Sequence, residues 1–493
     1  MRGGASWSWA ATRARPVSTM LATCLALPLG GCFLTDAPDP ALTIPGHYTG
    51  APNLRLAEAR TPPLDWWRAF RSRELSGIVE DVRTSNLDIA QAVARVLQAD
   101  AQARVTGAAL LPAVQLNGHA ERSRPSQSLG SGGGSGVSFG PSERNDLLTT
   151  LSASYEIDFW GKNRFALRAA EEAAVASRFD REVVALSSMA AAANAYFQML
   201  AAQDRLRTAR ENLVSAKRVG SLIEQRLKAG TASALETAQQ QSVIDTLNAA
   251  LPPLELLVVQ NRNALAVLIG RSPETVAIRG GSLNSLAIPR VTPGLPAELL
   301  AQRPDIREAE ANLASANANV AVARAQFLPS ITLTGEGGYE SAVLKTLLRP
   351  ESALYSLAAG LTQPIFQGGR LLGNLDLQQG KQEELLNAYR KAVISGFSDV
   401  ETALSNVRLT GERERLQRAV VASSRQAFDV SEQRFREGTL DLVTVLQTQQ
   451  TLYNAEDVLV QARLAHFQAV LSLYQALGGG WLPKPPMEAA DAR

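Results

Sequence analysis

Four segments of the chain alternate apolar and polar residues with a period of two, as strands with one apolar face do. In the first, Val114, Leu116, Gly118 and Ala120 oppose Gln115, Asn117, His119 and Glu121; in the second, Leu151, Ala153, Tyr155 and Ile157 oppose Ser152, Ser154, Glu156 and Asp158. The third sets Ile331, Leu333, Gly335 and Tyr339 against Ser330, Thr332, Thr334 and Glu336, and the fourth sets Tyr355, Leu357, Ala359 and Leu361 against Ser356, Ala358, Gly360 and Thr362. The strands are expected at about 113–124, 146–158, 330–340 and 353–366. Runs of about 9–13 residues suit tilted strands crossing a bilayer. They equally suit a soluble sheet with one wet face, a reading that an export signal makes weaker.

The rest of the pattern is helical. No proline occurs from Gly161 to Leu251 or from Ile365 to Leu482. Each stretch reads as a long helix, a Gly-Thr turn and a shorter returning helix. The long helices, 161–229 and 368–436, would each extend roughly 100 Å. Leading helices at 84–109 and 303–326 and returning helices at 232–269 and 440–477 together match that length, so they are expected to stack end to end beside it. In the last helix Val445, Leu452, Leu459, His466 and Leu473 recur every seven residues, with Thr448, Ala455, Ala462, Ala469 and Ala476 three residues after each. This is a heptad seam whose alanines allow close helix approach, and His466 reads as a packing residue on it.

The pattern is duplicated. Residues 88–118 and 305–335 align at an offset of 217 with twelve identities in thirty-one positions. Further on, Gln225-Arg226 matches Gln433-Arg434, Gly230-Thr231 matches Gly438-Thr439, and Gly270 matches Gly478, now at an offset of 208. The first repeat covers 61–290 and the second 291–481. Between the first two strands, a Gly/Ser-rich run beginning at Ser123 reads as a flexible loop. A shorter loop around 342–352 takes its place in the second half.

The ends add a localisation. Arg13 and Arg15 precede an apolar run from Val17 to Leu29, too short to span a membrane and closed by Leu29-Gly30-Gly31-Cys32. This resembles a lipobox, so residues 1–31 are expected to be a lipoprotein signal peptide, with Cys32 lipidated as the first mature residue. Phe33, rather than Asp, follows and points to the outer membrane. Residues 32–60, rich in Pro, Ala and Thr, read as a lipidated extended tether, and 482–493 as a flexible tail. Cys24 leaves with the signal, so no disulfide is expected within one subunit.

Composition mainly excludes. Without the signal the chain carries 46 basic and 47 acidic residues, which gives a nucleic-acid partner no support. Three histidines and one mature cysteine leave little for a metal site. No phosphate loop, zinc spacing or nucleophile elbow is present, so neither an enzyme nor a cofactor is expected. No stretch of about 18 uninterrupted apolar residues suggests a helical span in the body. Four strands do not close a membrane barrel, because the smallest has about eight, and open edges are forbidden in lipid. Membrane strands would therefore need more than one chain.

At this point the chain resembles a TolC-family outer-membrane efflux channel, of the lipoprotein branch serving resistance-nodulation-division multidrug pumps. The resemblance covers nearly all of 60–481. It is carried by Gln302-Arg303-Pro304-Asp305-Ile306-Arg307, Phe327-Leu328-Pro329-Ser330, Asp65-Trp66-Trp67, Tyr155 through Gly161, Gln363 through Gly369, and Leu477-Gly478-Gly479-Gly480-Trp481. It implies a mainly α fold with a β membrane section. In the family this is a homotrimer whose 12-stranded β-barrel continues into a long periplasmic α-helical barrel, built from two structural repeats per chain. It also implies an equatorial belt, here drawn from about 60–83, 271–302 and 475–481, with Trp66, Trp67 and Phe70 as packing anchors. The implied function is a passive exit duct for drugs or other solutes, opened at its periplasmic tip. The implied partners are a periplasmic adaptor (membrane fusion protein), an inner-membrane transporter and outer-membrane lipid.

Under this resemblance Gly230, Thr231, Gly438 and Thr439 become the adaptor-docking tips, although an ordinary interhelical turn fits the same residues. Relatives often carry aspartates forming a constriction ring just after the second tip; the aligned positions are Thr444 and Gln447. A less cation-selective gate is expected, with Asp441, Glu437, Arg434 and Arg436 nearby as a different ionic latch. Two alternatives stay open: a type I secretion exit duct, and a non-channel periplasmic coiled-coil lipoprotein. The exported substrate is not readable from the sequence.

Overall fold

A computed structural model describes residues 39–42, 44–45, 47–49, 63–124, 143–294, 296–479 and 481. The signal peptide, Cys32, most of the tether, the centre of the Gly/Ser-rich loop and the tail lie outside the described residues. The first repeat comprises α1 (Arg73–Ser85), α2 (Leu87–Gly107), β1 (Ala113–Ser123), β2 (Arg144–Ile157), α3 (Lys162–Lys228), α4 (Ala234–Ala249) and α5 (Leu251–Ile269). The second comprises α6 (Pro296–Gln302), α7 (Pro304–Ala325), β3 (Ser330–Ser341), β4 (Ala353–Thr362), α8 (Arg370–Arg436) and α9 (Leu442–Ala476).

Both long helices have 67 residues. Each starts at a left-handed glycine, Gly161 (φ 77°) or Gly369 (φ 83°), where the chain turns from sheet into helix. Along α3 the neighbours change. Near the sheet it packs on α2 and α7, where Arg178 pairs with Asp100 and Ser315 Oγ donates to Ala169 O at 2.8 Å. Farther away it packs on α4, α5 and α9, where Gln240 Nε2 donates to Ala216 O and Tyr453 Oη to Asn212 O. Leading and returning helices thus lie end to end along the long helix.

Three elements differ from the periodicity reading, each for a local reason. The first returning leg is two helices meeting at Ala250, because Pro252 and Pro253 occupy the first turn of α5, where a missing N–H breaks no helical bond. The leading segment restarts at Asn86, whose extended backbone ends α1 and whose side chain caps α2 by accepting from Asp88 N and Ile89 N. The strand expected to reach residue 366 ends at Thr362; Pro364 follows without a backbone donor.

The sheet is an antiparallel meander in the order β1-β2-β3-β4, with β2–β3 joining the repeats. Its register pairs Leu116 with Leu151, Ile331 with Leu361, and Gly335 with both Ala153 and Leu357. All four apolar sets therefore share one face. That face is bare: Leu116, Tyr355 and Leu357 are exposed. Among the described residues, the outer edges of β1 and β4 have no strand partner.

The main core sits near mid-height. Trp66, Trp67 and Phe70 are buried and pack with α1, α3, α5 and α9. Trp66 stacks on Tyr474 with centroids 5.4 Å apart, and Phe70 meets Phe197 and Phe467. Two helices contain windows long and apolar enough to cross a membrane by length and composition alone. The one in α3 is 61% buried in the bundle, whereas the one in Ala234–Ile269 leaves Leu256, Leu257 and Val259 exposed as an uncovered apolar face.

Candidate functional site: the helix tips and the belt

The two turns remote from the sheet have one geometry. Gly230 (φ 74°) donates to Leu227 O and Thr231 N to Arg226 O; Gly438 (φ 80°) donates to Phe435 O and Thr439 N to Arg434 O. Each is a Schellman closure, in which a left-handed glycine lets two backbone donors satisfy the last helical carbonyls. Both threonine hydroxyls bond the same carbonyls as their own N–H groups. Ser233 and Glu236 then form a capping box on α4, and Asp441 caps α9 by accepting from Thr444 N at 2.8 Å. These bonds from Thr444 hold the Asp441 carboxyl below the usual carboxylate range.

A set of charged contacts joins α3 to α8 just above the turns. Glu432 is 7% exposed and accepts from Arg218 Nη2 at 2.8 Å and from Arg436 Nη2 at 3.1 Å. Arg226 Nη1 donates to Phe435 O at 3.1 Å, with its guanidinium 4.8 Å from the Phe435 ring centroid. The cluster expected from sequence is rearranged. Arg436 takes part, but its partner is Glu432. Asp441 is engaged as a helix cap, Glu437 accepts from Gln433 Nε2, and Arg434 supplies the carbonyl that closes the turn. Thr444 is half-buried against Asp441, and Gln447 is exposed. Arg218 and Arg226 were missed because their partners Glu432 and Phe435 lie 214 and 209 residues away in sequence.

The belt holds a second ionic cluster. Glu414 on α8 is 3% exposed and accepts from His466 Nδ1 at 2.8 Å, from Arg463 Nη1 at 3.3 Å and from Arg418. His466 is therefore more than a packing residue on its heptad seam. Gly411 makes room for its ring, since a Cβ there would lie 3.2 Å from His466 Cε1. Burial pushes the Glu414 carboxyl up, but the bonds from His466, Arg418 and Arg463 outweigh it and hold the pKa at about 2. Because the folded value lies below the unfolded one, the stabilisation is complete above about pH 4.3 and is lost as pH falls through about 2. Glu414→Gln is expected to be about 3 kcal/mol less stable than the parent at neutral pH. The gap should close between about pH 4 and pH 2 in urea unfolding; a gap independent of pH would refute the cluster's role.

The belt is also where the repeat shows most clearly. Asn86 Nδ2 donates to Leu268 O at 2.7 Å in the first half, and Arg303 Nη1 donates to Ala476 O at 3.2 Å in the second. Donors and acceptors stand at the same 217 and 208 offsets as the sequence repeat. Arg303 is also held by Asp305 at 2.7 Å and by Asp399 at 3.0 Å. Among the described residues, no group of three His, Cys, Asp or Glu comes together to hold a metal ion.

The family model for outer membrane efflux proteins matches residues 78–271 and 295–479, one match per repeat. The chain is similar to the pyoverdine export outer membrane protein OpmQ of Pseudomonas putida, 40% identical over 464 residues that cover 94% of this chain and 97% of that protein. The cation efflux system protein CusC of Escherichia coli is 30% identical over 470 residues, covering 94% of this chain and 98% of that protein. The solved structure of the outer-membrane channel OprN matches with a TM-score of 0.83 at 26% identity, covering 90% of this chain and 98% of that one.

Proposed function

Because the chain belongs to the outer membrane efflux protein family, we propose that it is the trimeric exit duct of a tripartite efflux system, anchored in the outer membrane by acylated Cys32. The observation that carries this reading is the four-stranded sheet with one bare apolar face and two open edges. In lipid such edges need partners, and three copies would supply twelve strands and close them. The uncovered apolar face of Ala234–Ile269 supports helix contacts between the same copies. Relatives are named for pyoverdine export, toluene efflux and cation efflux on one chain plan, which supports a permissive duct whose cargo is chosen elsewhere.

The tips at Gly230-Thr231 and Gly438-Thr439 are the surface offered to the periplasmic adaptor. The contacts of Glu432 with Arg218 and Arg436 hold the resting tip shut. Purified protein in a planar bilayer is expected to conduct weakly. Glu432→Gln, which leaves two arginines without their carboxylate, is expected to raise the open fraction at least tenfold. No conductance from either protein would favour the non-channel coiled-coil reading.

The neutral pair Thr444 and Gln447 lines the narrowing above the tip. Gln447→Asp would place three carboxylates around one axis, within the screening length of roughly 8–10 Å at physiological ionic strength. The cation-to-anion permeability ratio, read from reversal potentials across a salt gradient, is expected to rise several-fold. An unchanged ratio would place Gln447 away from the constriction.

A further inference from the structure

We propose that the β3–β4 loop, residues 342–352, is a docking surface for a phosphate-bearing lipid of the outer leaflet, held on the lipid-facing side of the barrel. The inference rests on the membrane setting proposed above. The apolar face of the sheet sets the height. In β2 it runs from Ile157 to Leu147, and the register places Leu147 beside Ala120 on one side and Ser341 on the other. From 157 to 147 the strand extends roughly 33 Å, or about 25 Å along the membrane normal at the usual tilt, which is the height of an outward apolar band. The row of Ala120, Leu147 and Ser341 is thus the upper limit of that band. Tyr339 and Tyr355, exposed on the same face near this limit, suit a membrane interface. The loop begins directly above.

The loop is fastened by its own bonds, yet it leaves large apolar side chains in the open. Thr346 Oγ1 lies 2.7 Å from Ser341 Oγ, Thr346 N donates to Val343 O, and Thr346 O accepts from Ser352 Oγ at 2.8 Å. Val343, Leu344 and Leu348 are nevertheless 55%, 73% and 77% exposed. Val343 and Leu344 share an open cavity of about 460 Å³ with Ala120, Arg122, Asn145 and Leu147. Ala120 pairs with Leu147 and Arg122 with Asn145, so these four stand on the apolar face; Glu121 is the one lining strand residue of the opposite face. The loop therefore leans over the lipid side of the sheet and not over the lumen.

Apolar contact alone would admit any lipid, and the charges select among them. Arg122 is paired with Glu143 and Arg144 with Glu340. Lys345 and Arg349 are exposed and, among the described residues, take part in no ion pair. Each directly follows an exposed leucine, Leu344 or Leu348. Two such leucine–cation steps stand at the height where acyl chains give way to headgroups. They match a lipid that carries phosphate immediately above its acyl chains.

Benzoylphenylalanine in place of Leu344, in the full-length protein reconstituted into vesicles, reports the occupant by photo-crosslinking. The vesicles contain phosphatidylcholine with either bis-phosphorylated lipid A or the same lipid stripped of phosphate, and adducts are identified by mass. The bis-phosphorylated lipid is expected to give the dominant adduct. Its yield should fall at least fivefold on removal of the phosphates, and likewise in the double variant Lys345→Gln, Arg349→Gln. Equal yields from both lipids, or an unaffected double variant, would overturn the recognition of phosphate. Adducts to residues 125–142 or to a second copy would show that protein covers the loop, and would overturn the proposal outright. The same probe at Leu357, midway along the apolar face, separates this proposal from the reading on which it rests. Lipid adducts at Leu357 but not at Leu344 sink the loop's role alone, whereas none at either position refutes the membrane setting itself.

Discussion

Arg303→Ala is expected to lower the stability of the folded chain by about 3 kcal/mol, the low end for breaking a buried ion pair because Asp305 and Asp399 remain partly in water. The Arg303 side chain is only 11% exposed, and burial alone would weaken its charge. Its bonds to Asp305 and Asp399 more than compensate, so its pKa is raised. Removing it leaves two carboxylates without their shared cation and the Ala476 carbonyl, the last of α9, without a side-chain donor. The end of the returning helix is then no longer fastened to the start of α7. Arg303→Lys is expected to restore less than half of the loss, because an ammonium does not reproduce a planar fork reaching three acceptors. Thermal unfolding followed by far-UV circular dichroism in detergent measures both; full rescue by lysine would show that charge alone suffices.

Gly478→Ala is expected to be as damaging, and Gly270→Ala equally so. Gly478 has φ +69° and Gly270 φ +75°. A left-handed alanine by itself costs about 1–2 kcal/mol. At these two sites the added Cβ would also lie 2.5 Å from Gln302 O and 2.4 Å from Ser85 O. Both obstacles are backbone in the junction between two helices, so relief requires the belt to open, and a total near 3 kcal/mol or more is expected. Gly230 is the internal control. Its φ is +74°, but nothing lies within 4 Å of its would-be Cβ. Gly230→Ala should therefore cost only about 1–2 kcal/mol. Equal effects at all three positions, measured by the same unfolding experiment, would show that backbone conformation and not close approach governs the belt glycines.

These three glycines and Gly438 mark the division between sequence and structure. Gly230, Gly270, Gly438 and Gly478 were visible as repeat landmarks, and all four close Schellman turns. A left-handed residue after a helix is a local demand, and local demands leave a mark in the residue type. The 67-residue helices were legible for a related reason: no proline interrupts them, and their glycine starts and capped neighbours repeat. The two faces of each strand were legible because a period of two sends alternate residues to opposite sides of the sheet, whereas the cross-strand pairing came from the fold. The lead and return lengths even announced end-to-end stacking.

What the tertiary structure alone decided is how equivalent residues diverge. Glu224-Gln225-Arg226 and Glu432-Gln433-Arg434 are identical in sequence, yet Glu432 is buried between two arginines while Glu224 is exposed. Arg226 and Arg434 both close their turns with a carbonyl, but the Arg226 side chain also crosses to Phe435 O. Asn86 and Arg303 share a place and a task with unlike chemistry. His466 sat on an apolar stripe whose period concealed Glu414, 52 positions away on another helix. Repeats, turns and periodicities are fixed by neighbours along the chain, which the sequence displays directly. Charge pairs and close backbone approaches are fixed by whichever helix is packed alongside, and only the folded arrangement selects that neighbour.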